Sequence, residues 1–126
     1  MINKEELNKL SERIIGLAFD VHNKLGPGFI EKIYEKALAY ELGAHKINFE
    51  NQALIKVEYG DIELGAQRID FIVENKIIVE LKSVSEISEI HMAQLISYLK
   101  TADKRLGLIL NFATKRLEIK RLVNKF

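Results

Sequence analysis

The chain has 126 residues, 48% of them hydrophobic, and a formal net charge of +1, which suits one domain over residues 1–126 with a single core. It has no cysteine, so a disulfide framework, a zinc ribbon and an iron–sulfur cluster are excluded. No apolar run approaches the roughly 18 residues of a membrane span, and the opening Met1-Ile2-Asn3-Lys4-Glu5-Glu6 lacks a signal peptide's apolar stretch, so the expectation is a cytoplasmic protein with no membrane partner.

Leu7, Leu10, Ile14, Leu17, Val21 and Leu25 recur at helical spacing, and Gly26-Pro27-Gly28 ends that helix. The two glycines serve the turn by supplying positive φ at little cost. His22, four residues before Gly26, reads as a cationic or hydrogen-bonding cap of the helix end, and His45 as a surface residue. A second helix over about 29–42 sets Glu31, Tyr34 and Leu38 on one stripe. Glu31 is then either an exposed charge favoured by the helix N-terminus or a further carboxylate for a bound cation. Tyr34 reads as a packing and hydrogen-bonding residue. Strand-like runs follow over about 47–59, 62–73 and 76–83, broken at Tyr59-Gly60-Asp61 and Glu74-Asn75-Lys76. A helix over about 86–101 and strands over about 105–112 and 117–122 close the chain. The order α-α-β-β-β-α-β-β predicts an α/β (α+β) fold, a mixed central sheet flanked by helices.

Charge is unevenly spread. Residues 100–126 carry eight Lys/Arg against two acidic residues, and the first 99 carry eleven against sixteen. The closing segment, with Lys100 and Lys115, either faces phosphates or forms a solvated basic face.

Asp70, Glu80 and Lys82 stand in two otherwise apolar runs, Arg68-Ile69-Asp70-Phe71-Ile72-Val73 and Ile77-Ile78-Val79-Glu80-Leu81-Lys82. Ionised carboxylates are costly in such strands unless paired or bound to a cation. With a three-residue loop at Glu74-Asn75-Lys76, Val73 pairs with Ile77 and Asp70 falls opposite Glu80, on the face that Lys82 shares. The patch spans roughly 5 Å. A two-residue loop would send Asp70 to the other face. Two carboxylates so close repel, and a hard divalent ion such as Mg²⁺ or Mn²⁺ between their oxygens removes the repulsion. In this register Arg68 shares the Asp70 face, where it holds a phosphate or pairs with an acid.

Asp70 followed ten residues later by Glu80-x-Lys82 on the next strand resembles the active-site signature of the PD-(D/E)XK nuclease superfamily, with Ile69 in place of the usual proline. Leu25-Gly26-Pro27-Gly28-Phe29-Ile30-Glu31-Lys32-Ile33-Tyr34 resembles the segment that names the GxxExxY family, a small-protein branch of that superfamily, through Gly28, Glu31 and Tyr34. His91-Met92-Ala93-Gln94-Leu95-Ile96-Ser97-Tyr98-Leu99 is similar to the H-x-x-Q-x-x-x-Y-L helix that follows the Glu-x-Lys strand. By spacing, His91, Gln94 and Tyr98 share one helix stripe, either bordering a polar cleft or meeting water. The resemblance implies a restriction-endonuclease-like fold and a metal held by Asp70, Glu80 and the backbone carbonyl of Leu81.

The expected function is a metal-dependent nuclease, hydrolysing phosphodiester bonds in nucleic acid, DNA before RNA, with a metal-activated water. Asp70, Glu80, Lys82 and Glu31 form the expected catalytic set, supported by Gln94, Tyr98, Tyr34 and His91. Arg68, Lys100 and Lys115 are the expected nucleic-acid contacts, and a homodimer or a larger protein partner would add the grip that a small domain lacks. The alternative is a catalytically silent nucleic-acid-binding or adaptor module on the same fold. A third reading, hydrolysis of a small phosphorylated molecule, calls for a closed pocket.

Overall fold

A computed structural model describes residues 3–125; Met1, Ile2 and Phe126 lie outside the described residues. The elements run α1 (Lys4–Leu25), α2 (Glu31–Ala44), β1 (Phe49–Tyr59), β2 (Ile62–Val73), β3 (Ile77–Lys82), α3 (Glu89–Ala102), β4 (Leu106–Asn111) and β5 (Glu118–Val123). The order and approximate bounds are those expected from periodicity and turn residues.

Helix α1 starts where the Asn3 side chain accepts the backbone amides of Glu5 and Glu6, satisfying donors that a helix leaves orphaned. It ends at Gly26, whose φ of 72° needs no Cβ. The five strands form one mixed sheet in the order β1-β2-β3-β4-β5. All neighbours are antiparallel except β3 and β4, which run parallel across the α3 crossover. β3 and β4 are buried along nearly their whole length, as central strands covered on both faces must be. One face packs Phe71, Val79, Leu81, Leu108 and Leu110 against Leu7, Ile14, Leu17, Leu38 and Leu42 of α1 and α2. The other packs Ile69, Ile72, Ile78 and Ile109 against Leu95, Tyr98 and Leu99 of α3. Helix α3 approaches β4 closely at Gly107, where an added Cβ would lie 2.8 Å from a Leu95 methyl. No helix among the described residues is long and apolar enough to cross a membrane.

The β2–β3 turn has the expected three-residue length. Val73 pairs with Ile77, Ile72 with Ile78 and Phe71 with Val79, with Glu74 and Asn75 both in the left-handed region. Strict alternation breaks just beyond. Ile69 lies in the α3-side core and Phe71, two residues on, in the α1/α2-side core. The cause is on β1, where Gln52 takes a φ of 57° and the ladder passes from Asn51↔Phe71 to Ala53↔Ile69 without pairing Gln52 with Asp70. Asp70 therefore sits at the point where β2 turns over.

Candidate active site

The β2–β3 ladder ends at Phe71↔Val79, so Asp70 and Glu80 are not a plain cross-strand pair on a flat face, as the alternation argument has them. Their side chains take over where the backbones separate. Glu80 Oε2 accepts the Asp70 amide at 2.7 Å, and Asp70 Oδ2 accepts the Leu81 amide at 2.8 Å. Each carboxylate spends one oxygen on the opposite strand. The proximity expected from the register is present, produced by crossed side-chain-to-backbone bonds.

Burial and mutual repulsion shape the electrostatics. Glu80, only 6% exposed, is pushed up to about 8, first by burial and then by the Asp70 charge, against the Asp70 amide and Lys82, which pull it down. Asp70 is raised by burial and by Glu35, with the Leu81 amide, the Gln52 amide and Lys82 opposing. Glu31, at the start of α2, is raised by partial burial and by Asp70, with Lys82 opposing. The Tyr98 hydroxyl is raised by burial and by the charges of Glu80 and Asp70, while a hydrogen bond with the Gln94 side chain lowers it. The charges of Glu31, Asp70 and Glu80 thus converge on Lys82.

Lys82 ends β3 and, with Phe29, Ile30, Glu31, Ser83, Val84 and His91, lines an open groove of about 530 Å³. This shape suits a polymer passing over the site and disfavours an enclosed small-molecule pocket. His91 Nδ1 accepts the Ser88 amide at 3.0 Å, and the Ser88 hydroxyl accepts the His91 amide in return, a reciprocal cap on the start of α3. That bond leaves the Nε2 edge of His91 as the polar edge free to meet a ligand. Gln94 is exposed, whereas Tyr98 is buried, so they do not form one solvent-facing stripe with His91.

Tyr34 is a packing residue. It is fully buried, stacks on Phe112 with ring centroids 4.6 Å apart, donates to the Gly26 carbonyl and accepts from the Phe29 amide. It thereby fixes the α1–α2 turn that presents Glu31. Of the two histidines outside the groove, His45 is exposed as expected, whereas the His22 side chain does not cap its helix end. His22 is buried, and its Nε2 donates to the Thr114 carbonyl at 2.9 Å, tying α1 to the β4–β5 loop. His45 carries the helix-end bond, through Nδ1 to the Glu41 carbonyl of α2. Arg68, Lys100 and Lys115 are exposed. None of the three makes a hydrogen bond or ion pair with the carboxylate cluster among the described residues.

Two groups of residues that the sequence reading passed over support the site. Buried Glu35 accepts the side-chain amides of Asn51 at 2.8 Å and Gln52 at 2.6 Å, and Gln52 also lies 3.3 Å from Asp70 Oδ1. The signal for Glu35 was its i+4 spacing from Glu31, one turn along the same helix face. Fully buried Asn111 accepts the Val84 and Ala113 amides and donates to the Val84 carbonyl and Glu118 Oε1. Glu118 Oε1 also accepts the Ile87 amide. This network anchors residues 83–88, which join Lys82 to α3.

The donor set suits a hard cation. It offers oxygens only, on carboxylates that burial and mutual repulsion hold above their ordinary range, so a divalent ion would relieve the cost of ionising them. Among the described residues no three His, Cys, Asp or Glu already form a complete cage.

Solved structures with this fold were found at low sequence identity. The crystal structure of SSO0001 matches with a TM-score of 0.58 at 20% identity, covering 75% of this chain and 50% of that one. The crystal structure of an alkaline exonuclease (LHK-Exo) from Laribacter hongkongensis matches with a TM-score of 0.54 at 11% identity, covering 99% of this chain and 72% of that one. This chain thus spans half the length of the first and under three-quarters of the second, and the likeness establishes the fold. No curated protein matches. Sequence carries the assignment further, because the family model of the PD-(D/E)XK nuclease superfamily aligns with residues 8–122, nearly the whole chain and every residue of the carboxylate cluster. The chain belongs to the PD-(D/E)XK nuclease superfamily.

Proposed function

We propose that the chain is a metal-dependent nuclease that hydrolyses phosphodiester bonds in nucleic acid, DNA before RNA, with Mg²⁺ or Mn²⁺ as cofactor. The observation that carries this reading is the Asp70–Glu80 crossing beside Lys82, at the edge of an open groove. Asp70, Glu80 and the Leu81 carbonyl would hold the ion, with Glu31 close enough in charge to act through water. When bound, the ion would lower the pKa of a water and polarise a phosphate oxygen. Asp70 and Glu80 fix that position because each is tied to the opposite strand's backbone and cannot swing away. Lys82 offsets negative charge at a phosphate and orients the attacking water by donating to it. Tyr98, held by Gln94, sets a hydroxyl beside the carboxylates. His91 supplies a polar edge to the groove, and Tyr34 holds the turn beneath it. Arg68, Lys100 and Lys115 would meet the phosphate backbone, which fixes position without reading bases.

Buried Glu80 and half-buried Asp70 beside a phosphate path favour catalysis over a silent adaptor, for which they would only repel the ligand. The test is cleavage of supercoiled plasmid, linear duplex and single-stranded DNA or RNA with Mg²⁺, Mn²⁺ or EDTA, beside Asp70→Asn and Lys82→Ala. Metal-dependent cleavage lost in both variants supports the reading. Binding without cleavage under every condition overturns it in favour of the adaptor.

A further inference from the structure

β1 and β2 are longer than the sheet that supports them. β3 pairs with β2 only over Phe71–Val73, yet the β1–β2 ladder continues from Ala53↔Ile69 out to Tyr59↔Ile62. Beyond Ala53 the hairpin is a two-stranded ribbon, an arrangement with little stability in water unless one face is covered.

The ribbon is amphipathic. Ile55, Val57 and Tyr59 alternate with Lys56 and Glu58 along β1. The register shift between Val57↔Gly65 and Glu58↔Glu63 leaves Leu64 as an extra residue of β2. Beyond the bulge the directly paired residues share a face, Glu58 with Glu63 and Tyr59 with Ile62. Ile62 therefore joins Ile55, Val57 and Tyr59, while Glu63 joins Lys56 and Glu58. The 3.6 Å ion pair between Lys56 and Glu63 agrees, and Ile55 packs on the α3-side core. Past that anchor the apolar face is bare, with Tyr59 74% exposed and Ile62 63%, and Leu64 at the bulge is 62% exposed.

The two edges of the ribbon differ. The β2 edge is interrupted by the bulge and by Gly65, devices that blunt an edge against pairing. β1 has no extra residue from Ala53 to Tyr59, the shift at Val57/Glu58 being taken up by β2, and is the terminal strand of the sheet. We propose that a second copy of this chain pairs antiparallel with this β1 edge about a two-fold axis at Val57, joining the two sheets and their apolar ribbon faces.

Charge selects this register. Pairing about Val57 sets Lys56 opposite Glu58 of the other copy, twice, and Ile55 opposite Tyr59. Shifting the axis to Lys56 or to Glu58 sets like charges face to face, which is destabilising. Shifting it to Ile55 leaves both charges without opposite partners. Odd registers place the apolar face of one copy beside the polar face of the other. Only the Val57 axis satisfies the charges and the apolar faces together, and a two-fold contact of this kind is closed.

The test is light scattering with the full chain at about 10 and 100 µM, with circular dichroism to confirm folding. A mass of twice 14.5 kDa is expected at the higher concentration; a monomer there overturns the proposal. Lys56→Glu and Glu58→Lys should each weaken the dimer about tenfold or more, and the double exchange should restore it. Because the chain has no cysteine, Val57→Cys should cross-link to a dimer on mild oxidation, while Lys120→Cys, on β5, should not. A dimer that ignores the charge exchanges, or that fails to cross-link at position 57, overturns this interface.

Discussion

The amide of Asp70 donates to the carboxylate of Glu80 across the gap between β2 and β3 at 2.7 Å, while the carboxylate of Asp70 accepts from the amide of Leu81. Where an ordinary ladder would continue, two acidic side chains hold the separated strands together. They remain close despite their repulsion because each is fixed by a backbone donor. Strand separation and carboxylate placement are therefore one feature, and they occur beside Gln52, whose left-handed backbone turns β1 at the same level.

The first prediction concerns stability without metal. Glu80 in the folded chain lies near 8, against 4.5 for its ordinary value. The folded state thus binds more protons than the unfolded state between these limits, and its stability falls as pH rises through that window. In EDTA the melting temperature should drop by several degrees between about pH 5 and about pH 9, reflecting on the order of a few kcal/mol. Mg²⁺ or Mn²⁺ should reverse the loss, most strongly at the alkaline end. Glu80→Gln should flatten the EDTA profile and remove most of the metal effect. A wild-type profile that rises over the same range would contradict the assigned burial of Glu80.

A second prediction separates Gln52 from the carboxylates it joins. Gln52→Gly keeps a residue suited to a φ of 57° but deletes the amide shared by Glu35 and Asp70. Asp70 then loses a bond that favours its charged form. Folding stability should change by less than about 1 kcal/mol, while Mn²⁺ affinity by calorimetry should fall several-fold. Unchanged affinity would show that the Glu35–Gln52 bridge does not position Asp70.

These two sites mark what the sequence could and could not convey. Asp70, Glu80 and Lys82 stood out because charge interrupts apolar alternation, and the turn Glu74-Asn75-Lys76 set the register that brings them together. The turnover at Asp70 was hidden, because it depends on a left-handed Gln52, a residue type that carries no such signal. Glu35 looked like any polar residue of an amphipathic helix until β1 placed Asn51 and Gln52 against it. His22 and His45 were read by position in the chain, whereas their partners were decided by what packs beside them: Thr114 is 92 residues from His22.

A third prediction addresses the loop that follows Lys82. Asn111→Ala would strip partners from the Val84 and Ala113 amides and the Val84 carbonyl, and leave Glu118 with one donor fewer. Buried polar groups left unsatisfied in this way should cost roughly 2–4 kcal/mol. Amide exchange should accelerate most over residues 83–88, with β1 and β2 little affected. Uniform acceleration across the sheet would mean that Asn111 acts through global stability alone.

The last prediction tests the seat of α3, which carries Tyr98 and Gln94 to the site. Gly107 sits within β4 at a backbone angle any residue can adopt, so flexibility does not explain it; space does. An added Cβ would lie 2.8 Å from Leu95 Cδ1 and 3.0 Å from its Cγ, and Leu95, 1% exposed, has no room to swing aside. Gly107→Ala should therefore destabilise by about 1–3 kcal/mol through overpacking. Leu95→Ala alone should cost roughly 2–5 kcal/mol through the cavity it leaves. Placed together, the new methyl enters that cavity, so the double variant should be more stable than the sum of the single losses predicts, by about 1 kcal/mol or more in a double-mutant cycle. Strict additivity in urea melts would mean that α3 does not rest on β4 through this contact.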